Sequence, residues 1–319
     1  MLKQKLNRIA PVEGNNETPE NQIFAIESET SPYFNQTSSN RTAPEPDLST
    51  STSNIPETEQ TCTENEGPQT FEDQILNLHK ELTEGINSLD ILPRLSPPIE
   101  YIYNPLDYAF NIYESYIRKY CKTTKKIVMV GLNPGAFGMC QTGVPFGDPK
   151  SVKQFLEIEG TVTKPELECP TRPILGFSST RSEQSGQRLW KFFQSICGTA
   201  DKFFAHAILF NFCPITLLLG TGLNVTPEEI KNIQVRNELE SVCQDWYLKI
   251  IRLLQPEYIL AIGKYVEKKT NVLFKTHSID NIKVIYMPHP SPRVANNQNW
   301  PEKALKCLED NDLLRYFRD

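Results

Sequence analysis

The stretch Lys125-Lys-Ile-Val-Met-Val-Gly131, running into Leu132-Asn-Pro-Gly135, sets the fold class. An apolar run with no polar alternation, closed by glycine, reads as a strand buried on both faces, and Asn-Pro-Gly reads as a turn. Three comparable runs follow: Phe203 to Phe212, Tyr258 to Ile262 and Ile282 to Met287. Helical periodicity fills the intervals at about 183 to 197, 226 to 254 and 264 to 274, and returns at 300 to 316. Upstream, Phe71, Ile75, Leu76, Leu78, Leu82 and Ile86 recur at helical spacing. The proline-rich stretch from Leu92 to Pro105 reads as a stiff connector, and Asp107 to Tyr120 as a second helix. Strand and helix in alternation predict an α/β fold with a parallel sheet flanked by helices. No internal repeat is visible.

Residues 1–70 are different text, rich in Ser, Thr, Asn, Pro, Glu and Gln, with only Phe24, Tyr33 and Phe34 as aromatics. Such a segment buries too little apolar surface to offset its ordering entropy, so it is expected to be a disordered acidic tail, with the folded domain at 71–319. It holds four basic residues (Lys3, Lys5, Arg8, Arg41) and eleven acidic ones, a net of −7. The whole chain has 33 basic and 39 acidic residues, so the remainder carries 29 against 28, a net of +1. The overall acidity therefore belongs to the tail and does not count against an anionic partner for the body. With no run of 18 apolar residues and no charged-then-apolar leader, the chain reads as soluble and intracellular, with no membrane partner. The eight cysteines form no C-x-x-C pair and the four histidines lie far apart, which speaks against zinc fingers and clustered iron–sulfur ligands. The cysteines read as isolated thiols. The cations Arg118, Lys119, Lys122, Lys125 and Lys126 read as a solvated helix end sooner than as a DNA-facing patch.

Open parallel sheets bind ligands at the carboxyl ends of their strands. Three of the four predicted strand ends place one polar side chain where an apolar run opens into a proline turn: Asn133 in Gly131-Leu-Asn-Pro-Gly135, Asn211 in Asn211-Phe-Cys-Pro214, and His289 in His289-Pro-Ser-Pro-Arg293. Singly, each has an ordinary structural explanation; together they suggest a pocket. An Asn amide complements a neighbouring carbonyl and N–H, the edge uracil presents at O4 and N3–H. Cytosine presents the opposite pair and would leave two buried groups unsatisfied, at about 1–3 kcal/mol each. Phe146 would stack on the base, worth roughly 1–3 kcal/mol. Gly135, Gly138, Gly143 and Gly147 would let backbone approach it closely. Breaking the bond between such a base and its sugar builds negative charge on the departing ring, which His289 could stabilise as a hydrogen-bond donor. Asn133 could hold the attacking water, although Asn is no general base near neutral pH.

The run Gly131-Leu-Asn-Pro-Gly-Ala-Phe-Gly-Met-Cys-Gln-Thr-Gly-Val-Pro-Phe-Gly147, with the two later motifs, closely resembles the single-strand-selective monofunctional uracil-DNA glycosylases, a branch of the uracil-DNA glycosylase superfamily. Arg172-Pro-Ile-Leu-Gly176 and Ser182-Glu-Gln-Ser-Gly-Gln-Arg-Leu-Trp190 also look like family text, and the match covers about 100 to 315. The resemblance implies a three-layer α/β/α domain around a four-stranded parallel sheet. It implies a monomeric enzyme of base excision repair that needs no metal or cofactor, acts on single- and double-stranded DNA containing uracil or oxidised pyrimidines, and works in the nucleus. By position it implies that Asn133 holds the water, His289 stabilises the leaving base, Phe146 stacks and Asn211 reads the polar edge. Gly135 and Met139 would offer backbone groups near C5, around a water that a hydroxymethyl group could replace, so 5-hydroxymethyluracil is an implied substrate and thymine is expected to be rejected. Ser291, Pro292 and Arg293 would enter the DNA as a wedge, with Ser185 a further DNA contact. With no Lys at the matched motif positions, strand cleavage through an amine adduct is not expected. Leu132 stands where the family pattern has Met, Cys140 where it has Ala, and Val294 to Asn299 looks about one residue shorter and less basic than the family wedge. A non-catalytic lesion reader remains an alternative at this point. An unrelated nucleotide-binding hydrolase is disfavoured, because neither a P-loop nor G-x-G-x-x-G follows the first strand.

Overall fold

The computed structural model describes residues 69–318, so the segment read as an acidic tail lies outside the described residues except for Gln69 and Thr70. The elements, in chain order, are α1 (Phe71–Ser88), β1 (Ile99–Tyr103), α2 (Phe110–Tyr120), β2 (Ile127–Gly131), α3 (Gln184–Cys197), α4 (Ala200–His206), β3 (Ala207–Asn211), β4 (Thr216–Leu219), β5 (Asn224–Val225), α5 (Ile233–Leu254), β6 (Tyr258–Ile262), α6 (Lys264–Thr276), β7 (Lys283–Met287) and α7 (Trp300–Asp310). Shorter helical turns lie between them.

The four predicted strands form one parallel sheet in the order β3-β2-β6-β7. Every residue of β2 and β3 is buried, so helices cover both faces of the sheet, as the unbroken apolar runs required. The chain leaves β2 for β3 on one side and then crosses to β6 on the other. That reversal opens a crevice at the carboxyl ends of β2 and β6. Register sharpens the placement: Gly131 pairs with Asn211 and Ile262 with Met287, so the terminal residues of all four strands lie level.

Four expectations are corrected. The supposed connector contains β1, which pairs antiparallel with β4 in a second, three-stranded sheet ordered β1-β4-β5. Its prolines flank the strand instead of interrupting it, and a register shift between Ile99 and Tyr101 blurs the two-residue alternation. The run read as a strand from Phe203 begins as the last turn of α4, because Phe203 and Phe204 are buried helix residues whose apolar text merges with β3. The helix expected from 226 starts at Ile233, where the Asn232 side chain accepts from the Val235 amide, and a single turn at Pro227–Glu229 precedes it. The last helix stops at Asp310, with a separate turn at Arg315–Arg318.

The predicted helix end of basic residues is largely paired within the protein. Arg118 bridges to Asp73 and Glu114, Lys119 to Glu157 and Lys126 to Glu257, while Lys125 is buried and donates to the Phe204 carbonyl. No helix among the described residues is long and apolar enough to cross a membrane.

Candidate active site

One groove of about 1410 Å³ opens over the crevice, and all ten sequence-predicted residues line it: Asn133, Gly135, Met139, Phe146, Ser185, Asn211, His289, Ser291, Pro292 and Arg293. The strand ends explain the convergence. Asn133 lies two residues beyond β2, Asn211 ends β3 and His289 lies two residues beyond β7. The fourth strand end, after β6, contributes Gly263, whose φ of +100° is costly for other residues and where a Cβ would lie 3.9 Å from His289 Cβ and Cδ2. Sequence reading passed over it because a lone glycine between strand and helix has no distinguishing signal.

At the floor of the groove the Asn211 amide is buried, 7% exposed, and its Nδ2 donates to the Met139 sulfur at 3.2 Å. Its Oδ1 has no hydrogen-bond partner among the described residues. A buried orphan acceptor costs about 1–3 kcal/mol, a deficit that a ligand N–H would remove. A Cβ on Gly131 would fall 2.6 Å from this oxygen and 2.6 Å from the Phe146 ring, so only glycine fits beneath the pair. Phe146 has φ +52°, a left-handed conformation that phenylalanine rarely adopts. It is fixed there because its carbonyl accepts from Trp190 Nε1 (3.0 Å) and from the Asp148 amide (2.9 Å). Its ring centroid lies 5.8 Å from that of His289.

His289 Nδ1 accepts from the Ser291 amide at 3.1 Å, so the neutral ring carries its proton on Nε2. Burial pushes its pKa down to about 4, which makes a neutral donor the resting form. Asn133 Nδ2 donates to the Ile215 carbonyl at 3.3 Å, which orients the amide and leaves Oδ1 to accept from a water. The site thus offers an acceptor for a buried N–H, an aromatic face, a neutral N–H donor and an oriented water acceptor around one space.

The framework that holds these groups was not foreseen. Asp148 is 1% exposed; its Oδ1 accepts from Ser182 Oγ (2.7 Å) and the Glu183 amide (3.0 Å), and its Oδ2 from Ser151. Glu183 in turn accepts from the Ser185 and Gly186 amides at the start of α3, and burial raises its pKa. Ser185 itself is buried against this cap. Gln141 spends its whole amide, donating to the Ala136 and Pro173 carbonyls (3.0 Å each) and accepting from Leu175 and Gly176. Asn297 ties down the loop after His289 by donating to the His289 and Ser291 carbonyls, each at 2.9 Å. Pro292 and Arg293 project from that loop, exposed. A Cβ at Gly138 or Gly147 would strike Glu183 or Thr142, so the packing of the loop itself requires glycine at both positions.

A family model described as the uracil DNA glycosylase superfamily matches residues 118–312, more than half of the chain. The chain belongs to this superfamily. Within it, the chain falls in the single-strand-selective monofunctional branch. It is 37% identical to the single-strand selective monofunctional uracil DNA glycosylase of Mus musculus, over 70% of this chain and 79% of that one. It is 34% identical to the Bos taurus protein of the same name, over 77% of this chain and 89% of that one. In structure it is similar to Pedobacter heparinus SMUG2, with a TM-score of 0.54 at 18% identity, covering 77% of this chain and 99% of the other, a likeness of fold. The fold and family implied by the resemblance are borne out.

Proposed function

We propose that the protein is a monofunctional uracil-DNA glycosylase that draws a uracil nucleotide out of DNA into this groove and hydrolyses its glycosidic bond, leaving an abasic site for repair. The observation that carries the reading is the buried Asn211 Oδ1, unpartnered among the described residues, beside Phe146 in the groove that the neutral His289 donor also lines. Uracil N3–H supplies the missing donor and O4 receives Nδ2, whereas the N3 of cytosine would set acceptor against acceptor.

In the proposed reaction Phe146 stacks on the base and His289 Nε2–H donates to O2 as negative charge grows there. Asn133 holds a water at the anomeric carbon without removing its proton strongly, so the chemistry leans on stabilising the leaving base. The flipped state costs a few kcal/mol of stacking and pairing, and Pro292 and Arg293, exposed on a loop anchored by Asn297, are suited to fill the gap. Backbone groups of Gly135 and Met139 would face C5 across a water, so 5-hydroxymethyluracil is a proposed second substrate. Lys264 lines the groove, yet Glu267 binds its ammonium at 2.9 Å and raises its pKa, which supports a hydrolytic route without an amine nucleophile. Action on single- and double-stranded DNA, as a monomer in the nucleus, completes the proposal.

The test is base release from an oligonucleotide bearing one uracil, single-stranded and then opposite guanine, in EDTA. Release should fall by two or more orders of magnitude in Asn133→Ala and Asn211→Ala, consistent with about 3 kcal/mol of lost positioning or recognition. Equal rates in these variants would remove both assignments. Binding without release by the wild type would favour a lesion reader, and a borohydride-trapped adduct would contradict the hydrolytic route.

A further inference from the structure

On the rim of the groove the Phe137 ring carries two guanidiniums. Arg172 Cζ lies 5.2 Å and Arg181 Cζ 4.9 Å from its centroid. Both arginines line the groove, and among the described residues neither enters an ion pair; the arginines that do are Arg94, Arg118 and Arg315. Two like charges this close repel, so an anion within reach of both stabilises the arrangement.

Arg172 is set before any ligand arrives. Its amide donates to the Cys169 carbonyl (2.9 Å), its carbonyl accepts from Tyr103 Oη (2.8 Å), and its Nη1 donates to the Thr171 carbonyl (2.7 Å). Its stem packs on Gly222, where φ is +75° and a Cβ would stand 2.9 Å from Arg172 Cγ. A stacked, preordered fork loses little side-chain entropy on binding and matches the bidentate geometry of a phosphate. Phe137 lies four positions beyond Asn133, a chain reach of at most about 14 Å, so an anion seated here lies close to the extruded nucleotide.

We propose that Phe137, Arg172 and Arg181 form a seat for a backbone phosphodiester beside the flipped nucleotide. The assignment rests on the reading of the groove as the uracil site. Phe137 holds the two guanidinium planes, and their outward N–H edges grip the phosphate and fix the register of the strand.

The experiment measures equilibrium binding of a single-stranded oligonucleotide containing 2′-fluoro-deoxyuridine, whose glycosidic bond resists hydrolysis. A neutral methylphosphonate replaces one phosphate at a time on either side of the lesion. Wild-type affinity should drop severalfold at one or two positions. The Arg172→Gln/Arg181→Gln double variant should be indifferent at those same positions, and its log K against log salt should be shallower by about 0.7 per lost contact. Arg181→Gln alone should show part of this loss; Arg181 is exposed, so this variant keeps the test valid if the double variant folds poorly. A double or single variant that keeps the full wild-type methylphosphonate profile would overturn the seat. Base release from an unmodified uracil strand reads the underlying function separately: no release overturns that reading, whereas release with an unchanged profile overturns the seat alone.

Discussion

At the scale of single residues, the site works through groups whose free valences are set by what their other atoms touch. His289 is the clearest case. Its Nδ1 is occupied by the Ser291 amide and burial holds its pKa near 4, so the donor to a leaving base is a neutral imidazole. Base release should therefore be level from pH 8 to about pH 5, with no inflection at the ordinary histidine value of about 6.5. Below that it should fall, because a proton on Nδ1 opposes the Ser291 N–H and breaks the loop contact. A single-turnover pH profile decides this: a rise in rate on protonation near pH 6.5 would mean that the imidazolium is the working form. Asn133, Asn211 and His289 were legible because each stands where an apolar run gives way to proline text. Asp148, Glu183 and Gln141 were not, since a carboxylate or amide whose partners are backbone groups far along the chain leaves no local pattern.

At the scale of elements, α1 lies ahead of the residues the family model matches, yet it belongs to the body of the protein. Thr70 and Asp73 cap it reciprocally, and Ile75, Leu76, Leu82 and Ile86 are buried in the core. Within it, His79 is 3% exposed; its Nδ1 donates to the Ile75 carbonyl and its Nε2 accepts from Tyr113 Oη at 2.6 Å. Burial lowers its pKa from 6.5 to about 4. Between these values the unfolded chain binds a proton that the folded chain does not, so stability is fully present above pH 6.5 and declines as pH falls toward 4. The shift corresponds to at most about 3 kcal/mol, of which about 2 is lost by pH 5. Urea unfolding at pH 7 and pH 5 should show that difference shrink by about this amount in His79→Leu relative to wild type, whatever the variant's absolute stability. An unchanged difference would mean that His79 does not titrate with unfolding. The four core strands were readable because two-sided burial demands continuous apolar text. The second sheet was not: β1 is bulged and pairs with β4 across 113 or more residues, so it depends on a tertiary partner that local text does not name, and β5 is only two residues long.

At the scale of the whole molecule, charge is divided along the chain. The ten residues proposed for the site fall between 133 and 293, in a body of net +1, whereas residues 1–70 carry net −7. Among the described residues Arg172, Arg181 and Arg293 have no ion-pair partner, so an anionic strand approaching the groove meets them unneutralised, while residues 1–70 add eleven carboxylates to the charge of the same chain. A chain beginning at Gln69 keeps the α1 cap and every site residue, so it should retain base release. It should also bind single-stranded DNA more tightly than the 319-residue chain at about 0.01 M salt, where the screening length is about 30 Å, and the advantage should vanish near 1 M, where it is about 3 Å. Fluorescence anisotropy across that salt range separates two origins. An advantage that fades with salt identifies repulsion by the acidic segment as its cause. Equal affinities at low salt would show that those carboxylates stay clear of the path of the DNA, and weaker binding by the shortened chain would assign residues 1–68 a direct part in holding it.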